Sequence, residues 1–98
     1  MAASPKSTEA AIDRQLAVWE AVGLLEPLSA ICRKHHVLPQ QVLSPSRLKT
    51  VVAARNACCW HLRELGMSLP EVATLVGFSD HTSVMHAVRQ HRKRLEEG

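Results

Sequence analysis

The chain has 98 residues, 46% of them hydrophobic, which suits one small domain with a single core. Its 12 Lys and Arg exceed its 9 Asp and Glu, and the net charge of +3 mildly favours an anionic partner such as nucleic acid. No apolar run is long enough to span a membrane and the N-terminus lacks the apolar core of a signal peptide, so we expect a cytoplasmic protein with no membrane partner.

The cysteines and histidines do not suggest a cofactor or an enzyme. Three cysteines, Cys32, Cys58 and Cys59, cannot all pair, and adjacent cysteines rarely bridge each other. No C-x-x-C or H-x-x-x-H pair occurs, so neither a metal nor another cofactor is predicted. Spacing brings no nucleophile, base and orienting group together, which argues against an enzyme.

The first predicted helix begins at Thr8 or Glu9 and ends at Gly23. Its apolar side chains recur at helical spacing, at Ile12, Leu16, Trp19 and Val22. This stripe either packs on the rest of the domain as an added core helix, which we favour, or forms a surface for self-association or a protein partner. We expect an N-terminal extension over residues 1–25 and a second domain over residues 26–98.

Two shorter helices are predicted next. Pro27 suits the first turn of the second helix, which stops near His36. Its core-facing stripe comprises Leu28, Ile31, Cys32 and His35. Pro39 then begins a brief helix through Leu43.

A proline-interrupted segment, residues 44–49, precedes a long central helix and carries Arg47 and Lys49. The central helix is predicted over residues 51–65, with Gly66 ending it. Its inner positions are predicted to be Val51, Ala54, Cys58, Leu62 and Leu65. We expect Trp60 to pack beneath the N-terminal helix, because a tryptophan is costly to leave exposed.

The last third of the chain predicts a helix-turn-helix. Ser68 and Glu71 form a capping box for a helix of about two turns, and Gly77 ends it. A longer helix capped by Ser79 or Asp80 follows. Its predicted apolar face contains Val84, Met85, Val88 and Leu95. We therefore expect an all-α fold, a small helical bundle that contains a helix-turn-helix and an additional N-terminal helix.

Polar side chains share the other side of this last helix: Thr82, Ser83, His86, Arg89, Gln90 and Lys93. Their donors and acceptors have the reach needed for base edges or phosphates in a major groove. A solvated surface on an ordinary helical hairpin is the alternative interpretation.

Two segments here, Ser68-Leu-Pro-Glu-Val-Ala73 and Val76-Gly-Phe-Ser-Asp-His-Thr-Ser-Val84, resemble the signature of a known family. It is the C-terminal DNA-binding domain of the bacterial replication initiator DnaA, a helix-turn-helix of the Trp-repressor-like kind. Ala54-Arg55-Asn56 and Leu62-Arg-Glu-Leu65 extend the resemblance upstream. No G-x-x-x-x-G-K-[ST] phosphate loop occurs, so the ATPase module of that family is not expected here, and the chain is either a free-standing relative or an excised piece.

The resemblance implies a role for each matching position. Base contacts are implied for Asp80, His81 and Thr82, and backbone or edge contacts for Ser83 and His86. Phosphate contacts are implied for Ser68, Leu69 and Pro70 at the start of the first helix, and for Arg55 and Asn56 in the central helix. Arg47 is implied to enter a minor groove from the proline-interrupted segment, which is a basic loop in the family, with Lys49 beside it. Asp80 has a competing role as a simple helix cap, and His81 one as a core-edge residue.

These observations predict a protein that binds double-stranded DNA at a specific sequence and regulates replication initiation or transcription. The alternative is a protein-interaction module that keeps the helix-turn-helix fold and associates through its N-terminal helix. A salt-dependent mobility shift on duplex DNA distinguishes the two, because only the first requires DNA binding.

Overall fold

A computed structural model of the chain describes residues 9–97. Over that range it contains six α-helices and no strand, which confirms the all-α prediction. The helices are α1 (Glu9–Ala21), α2 (Leu25–Lys34), α3 (Pro39–Leu43), α4 (Lys49–Glu64), α5 (Leu69–Val76) and α6 (His81–Glu97). The alternative start of the first helix at Thr8 lies outside the described residues.

The long helix α4 occupies the centre of the bundle and packs against α2, α3, α5 and α6. Its predicted inner side chains Val51, Ala54, Cys58 and Leu62 are all fully buried. Leu65 is the exception, with 55% of its surface exposed. It follows the last residue of α4 as the C-cap, so it no longer continues the buried stripe.

The three thiols lie in this core, Cys32 on α2 and Cys58 and Cys59 on α4. Cys32, Cys58 and Cys59 are free and buried. Burial raises the pKa of Cys59 to about 12, so this thiol stays neutral at physiological pH. The Cys59 thiol therefore fills space in the core as an uncharged group.

Helix α1 packs on α2, α3 and α5, with Ile12 and Leu16 against the core. Trp19 is fully buried, and its indole Nε1 donates to the carbonyl oxygen of Leu75 at 2.8 Å. The interpretation of α1 as an added core helix therefore agrees with the structure. The prediction that Trp60 lies beneath α1 is wrong. Its half-buried ring packs instead against His91 of α6, with ring centroids 5.3 Å apart.

The start and the end of α5 follow the sequence pattern. Ser68 Oγ accepts from the amide of Glu71 at 3.3 Å, and the Glu71 carboxylate accepts from the amide of Ser68 at 3.0 Å. Gly77 ends the helix with φ of 89°, a left-handed conformation that a side chain would strain. A capping box and a glycine turn thus set the length and direction of the first helix of the helix-turn-helix.

Helix α6 turns a different face to the core from the predicted one. Val84 is buried and Val88 partly so, but Met85 and Leu95 have 42% and 52% of their surfaces exposed. The buried face follows Val84, Ala87, Val88 and His91, at i, i+3, i+4 and i+7. The predicted face was based on the large apolar residues. The observed face instead includes the small Ala87, which is buried where α6 packs on the bundle.

Between residues 9 and 97, no single helix is long and apolar enough to cross a membrane. Only α1 and α2 taken together reach that length and composition, across a bend of 116°.

Candidate nucleic-acid interface

Helix α6 presents a strip of polar side chains to solvent, directly after the turn that joins it to α5. Thr82, His86, Arg89 and Lys93 are all exposed and follow one another at i, i+4, i+7 and i+11. We call these four residues the α6 strip. Opposite it lie the buried Val84 and Ala87, so the core holds α6 with the strip facing outward. Donors and acceptors in such a row are stereochemically suited to the edges and phosphates of a duplex.

Ser83 was predicted to lie on this polar face, but only 9% of its surface is exposed. Its backbone amide donates to Asp80 Oδ1 at 2.9 Å and its hydroxyl donates to the same oxygen at 3.3 Å. The side chain is therefore turned toward the helix start and away from the α6 strip.

Asp80 caps α6, as one of the two interpretations of its role predicted. The hydrogen bond from the Ser83 amide holds the pKa of the Asp80 carboxyl below its ordinary value, so the cap is ionised at neutral pH. A negative cap also interacts favourably with the positive end of the helix dipole. Asp80 and the neighbouring His81 are both exposed, so capping leaves these side chains accessible to a ligand.

The first turn of α5 lies beside the other flank of α6. Ser68 and Pro70 are exposed there, and Leu69 is half-buried. Leu69 lines a shallow groove together with Met85, Arg89 and Arg92 of α6 and with residues near the end of α4. The start of α5 and the middle of α6 therefore belong to one continuous surface.

A second groove separates the first half of α4 from the second half of α6, and we call it the α4–α6 groove. Two predicted site residues, Lys49 and Asn56, line its α4 side. Gln90, Lys93 and Arg94 line its α6 side, together with Glu97. Lys93 belongs to both the groove and the α6 strip, so the two surfaces are joined. Three cations and two amides make the groove suitable for the oxygens of an anion such as phosphate.

The basic loop, residues 44–48, joins α3 to α4. Arg47 is exposed on it, and Lys49 is exposed in the first turn of α4. Two hydrogen bonds to serine hydroxyls lie within the loop. Ser46 N donates to Ser44 Oγ, and Leu48 N donates to Ser46 Oγ, each at 3.3 Å. The structure thus places the two cations of the predicted site at neighbouring points near the start of α4.

Arg55 was predicted to contact phosphate, but the side chain is buried, with only 1% of the residue exposed. Its Nε donates to the carbonyl oxygen of Val42 at 2.8 Å. Its Nη2 donates to the carbonyl oxygens of Ser44 and Ser46 at 2.7 and 3.1 Å. Val42 and Ser44 close α3, whose last carbonyls need partners from outside the helix, and the guanidinium supplies them.

The position of Arg55 could have been recognised from spacing. Val51, Arg55, Cys58 and Leu62 follow one another at i, i+4, i+7 and i+11, and the other three had been assigned to the buried stripe. The Ala-Arg-Asn match to the family led instead to an exposed phosphate contact. Burial lowers the pKa of Arg55, yet arginine stays protonated in proteins and its charge is satisfied by the carbonyls.

Among the described residues, 9–97, no group of three or more His, Cys, Asp or Glu side chains is arranged to hold a metal ion.

These features define the class of protein: a small helix-turn-helix domain in which α5 and α6 form the motif and α4 supports it. The model of the family described as "Bacterial dnaA protein helix-turn-helix" matches residues 28–90. The chain belongs to this family.

Curated relatives are named chromosomal replication initiator protein DnaA. The protein from Nautilia profundicola is 33% identical over 79 residues, which are 80% of this chain and 18% of the relative. That from Thermomicrobium roseum is 35% identical over 69% of this chain and 15% of its own length, and that from Bartonella quintana is 40% identical over 62% and 13%. The chain thus spans less than a fifth of these relatives. No solved structure matches it.

Proposed function

We propose that the chain binds double-stranded DNA at a specific sequence and controls replication initiation, with α6 as its recognition helix. The observation that carries this proposal is the α6 strip, which a capped helix-turn-helix presents to solvent in a member of the DnaA helix-turn-helix family. The names of the relatives associate that family with the initiation of chromosomal replication. Control of transcription from related sites is a second outcome of the same binding, and both place the protein in the cytoplasm with the bacterial chromosome.

The recognition helix enters the major groove with its N-terminal turns first. Asp80, His81 and Thr82 then lie nearest to the base edges, where each exposed side chain has a donor or an acceptor to offer. His86 follows one turn later and contacts a base edge or the backbone. Ser83 acts through Asp80, because its amide and hydroxyl hold the carboxylate.

Phosphate contacts fix the register of this helix on the duplex. One set comes from the start of α5, where Ser68 and Pro70 are exposed and Leu69 lines the groove beside α6. The other comes from the α4–α6 groove, where Lys49 and Asn56 face Lys93 and Arg94. Arg47 extends from the basic loop toward the adjacent minor groove, whose narrow walls concentrate negative potential.

The alternative of association through α1 finds no support in the fold. Trp19, the largest side chain of the stripe that was to form such a surface, is fully buried, and its indole nitrogen is bonded to the carbonyl of Leu75. Ile12 and Leu16 pack against the core, and only Val22 at the end of the stripe is exposed. DNA binding uses faces that the fold leaves exposed, and it is the function that the structure favours.

The proposal is tested by titrating two labelled duplexes of equal length and composition with the full chain at one salt concentration. One carries the box bound by the initiator family and the other a scrambled version. We expect at least about tenfold tighter binding to the box, which is the discrimination that one good base contact supplies. Equal affinity for the two duplexes would contradict the proposal.

A further inference from the structure

We propose that Arg55 is a positioning residue for DNA binding: it holds the basic loop in the conformation from which Arg47 reaches the duplex, without touching DNA itself. This inference rests on the proposed function and adds to it a dependence of one exposed arginine on a buried one. It differs from the direct phosphate contact that the family resemblance implies.

The contacts of Arg55 bridge two elements. The side chain belongs to the second turn of α4, and its three acceptors lie at the end of α3 and in the basic loop. The third acceptor, the carbonyl oxygen of Ser46, belongs to the peptide bond that links Ser46 to Arg47. A hydrogen bond at 3.1 Å to that oxygen therefore restrains the peptide plane from which Arg47 begins.

The rest of the loop offers weaker restraints. Its side-chain hydrogen bonds near Arg47 are the two serine contacts at 3.3 Å, which are long for this kind of bond. The Leu48 carbonyl oxygen accepts from the amide of Val52 at 2.9 Å, but this bond belongs to the start of α4 and leaves the peptide between Ser46 and Arg47 unrestrained. Leu48 has 64% of its surface exposed and adds little packing. The buried guanidinium makes charge-assisted bonds of 2.7 and 3.1 Å to the carbonyl oxygens of Ser44 and Ser46, and it is thus the main anchor of the loop.

The geometry requires an arginine. Nε and Nη2 point along different directions of one rigid plane, and they satisfy Val42 on one side and Ser44 and Ser46 on the other. A lysine keeps the positive charge but concentrates its donors on one atom. Arg55→Lys therefore preserves charge while losing the bridge, which separates positioning from a charge contact.

Direct contact and positioning predict different behaviour for the same variants. If Arg55 bound phosphate, Lys would replace it well, and the losses from Arg47→Ala and Arg55→Lys would multiply. If Arg55 positions Arg47, Arg55→Lys lowers the affinity by about as much as Arg47→Ala, and the double variant binds no more weakly than the weaker single variant. Arg55→Lys then also reduces the slope of log affinity against log salt by about one, although no charge has been removed.

The experiment measures affinity for the box duplex at several salt concentrations for wild type, Arg47→Ala, Arg55→Lys and the double variant. Lys49→Ala is the matched control: its loss should multiply with that of Arg55→Lys, because Arg55 has no bond to its side chain. Thermal unfolding of each variant identifies a temperature at which all remain folded, and the affinities are measured at that temperature. Multiplicative losses for Arg47 and Arg55, or normal binding by Arg55→Lys, would overturn the proposal.

A second measurement needs no DNA. Trypsin cleaves after Arg47 and Lys49 only when the loop leaves its folded conformation, so Arg55→Lys should be cut there at least about tenfold faster than wild type, with cleavage after Arg63 unchanged as the internal control. Unchanged cleavage in the loop would overturn the proposal. Failure of wild type to prefer the box would instead overturn the proposed function, and the wild-type titration shows which of the two has failed.

Discussion

The indole Nε1 of Trp19 donates a hydrogen bond to the carbonyl oxygen of Leu75 across 2.8 Å, joining α1 to the last turn of α5. Gln15 makes a parallel contact, since its Nε2 donates to the carbonyl oxygen of Thr74. Both carbonyls belong to the end of a helix, where no intrahelical donor remains for them. Helix α1, which lies outside residues 28–90 matched by the family model, therefore caps the first helix of the helix-turn-helix.

The first prediction separates the hydrogen bond of Trp19 from its packing. Trp19→Phe retains much of the buried apolar surface but leaves the carbonyl of Leu75 unpaired, which costs about 1–3 kcal/mol of unfolding free energy. Trp19→Ala also opens a cavity and costs about 3–5 kcal/mol. Denaturant unfolding measures both, and Val18→Ala, at an exposed position of the same helix, should stay within about 0.5 kcal/mol of wild type. If Trp19→Phe is as stable as wild type, the cap contributes nothing.

The second prediction concerns acid. Hydrogen bonds from the chain hold the pKa of Asp80 below its ordinary 3.8 in the folded protein, so its stabilising effect is complete above that pH and is lost as the pH falls through the lower folded value. Asp80→Asn keeps a capping oxygen but cannot titrate, so its melting temperature should fall less steeply below pH 3.8 than that of wild type. Melting curves from neutral pH downward test this, with Glu20→Gln on the exposed side of α1 as control. Parallel curves for Asp80→Asn and wild type would show that the cap does not contribute.

The third prediction concerns the α4–α6 groove. Lys49→Ala removes a cation from the groove, so it should weaken binding to the box duplex and to the scrambled duplex by the same factor. The slope of log affinity against log salt should fall by about one. Arg14→Ala, which removes an exposed cation from α1, should leave both affinities unchanged. A loss confined to the box duplex would mean that Lys49 contacts bases.

Local patterns predicted the helix-turn-helix well because its determinants are close in sequence. The capping box of Ser68 and Glu71 lies within four residues, and the turn at Gly77 depends on one residue with positive φ. The burial of Arg55 could be recognised from its spacing in α4, but its hydrogen-bond partners could not, since its three acceptors are backbone carbonyls 9 to 13 residues away. Backbone carbonyls have no signature in side-chain patterns, and only the packing of α3 on α4 brings them to the guanidinium.

The prediction of the buried face of α6 was wrong for a different reason. Pattern analysis gives weight to large apolar residues, so Met85 and Leu95 were assigned to the buried face although both are exposed. The observed face contains the buried Ala87 and the half-buried His91, whose ring packs against Trp60 of α4. The same rotation buried Ser83 and left Thr82 and His86 exposed, so it determined which predicted contact residues face solvent.

The central claim, that the α6 strip distinguishes one DNA sequence from another, depends most on Thr82. This side chain is exposed in the first turn of α6, where its methyl group can contact a thymine methyl and its hydroxyl can donate or accept. Losing such a contact should cost about 1–3 kcal/mol on the preferred site and much less on random DNA, because the phosphate contacts are untouched.

The most direct measurement is a selection of bound sequences from a random duplex pool, with wild type and Thr82→Ala in parallel and Thr74→Ala, at an exposed position of α5, as the matched control. We expect wild type and Thr74→Ala to recover one motif, and Thr82→Ala to recover the same motif with at least one position relaxed. Identical motifs from wild type and Thr82→Ala, or no motif from wild type, would contradict the account.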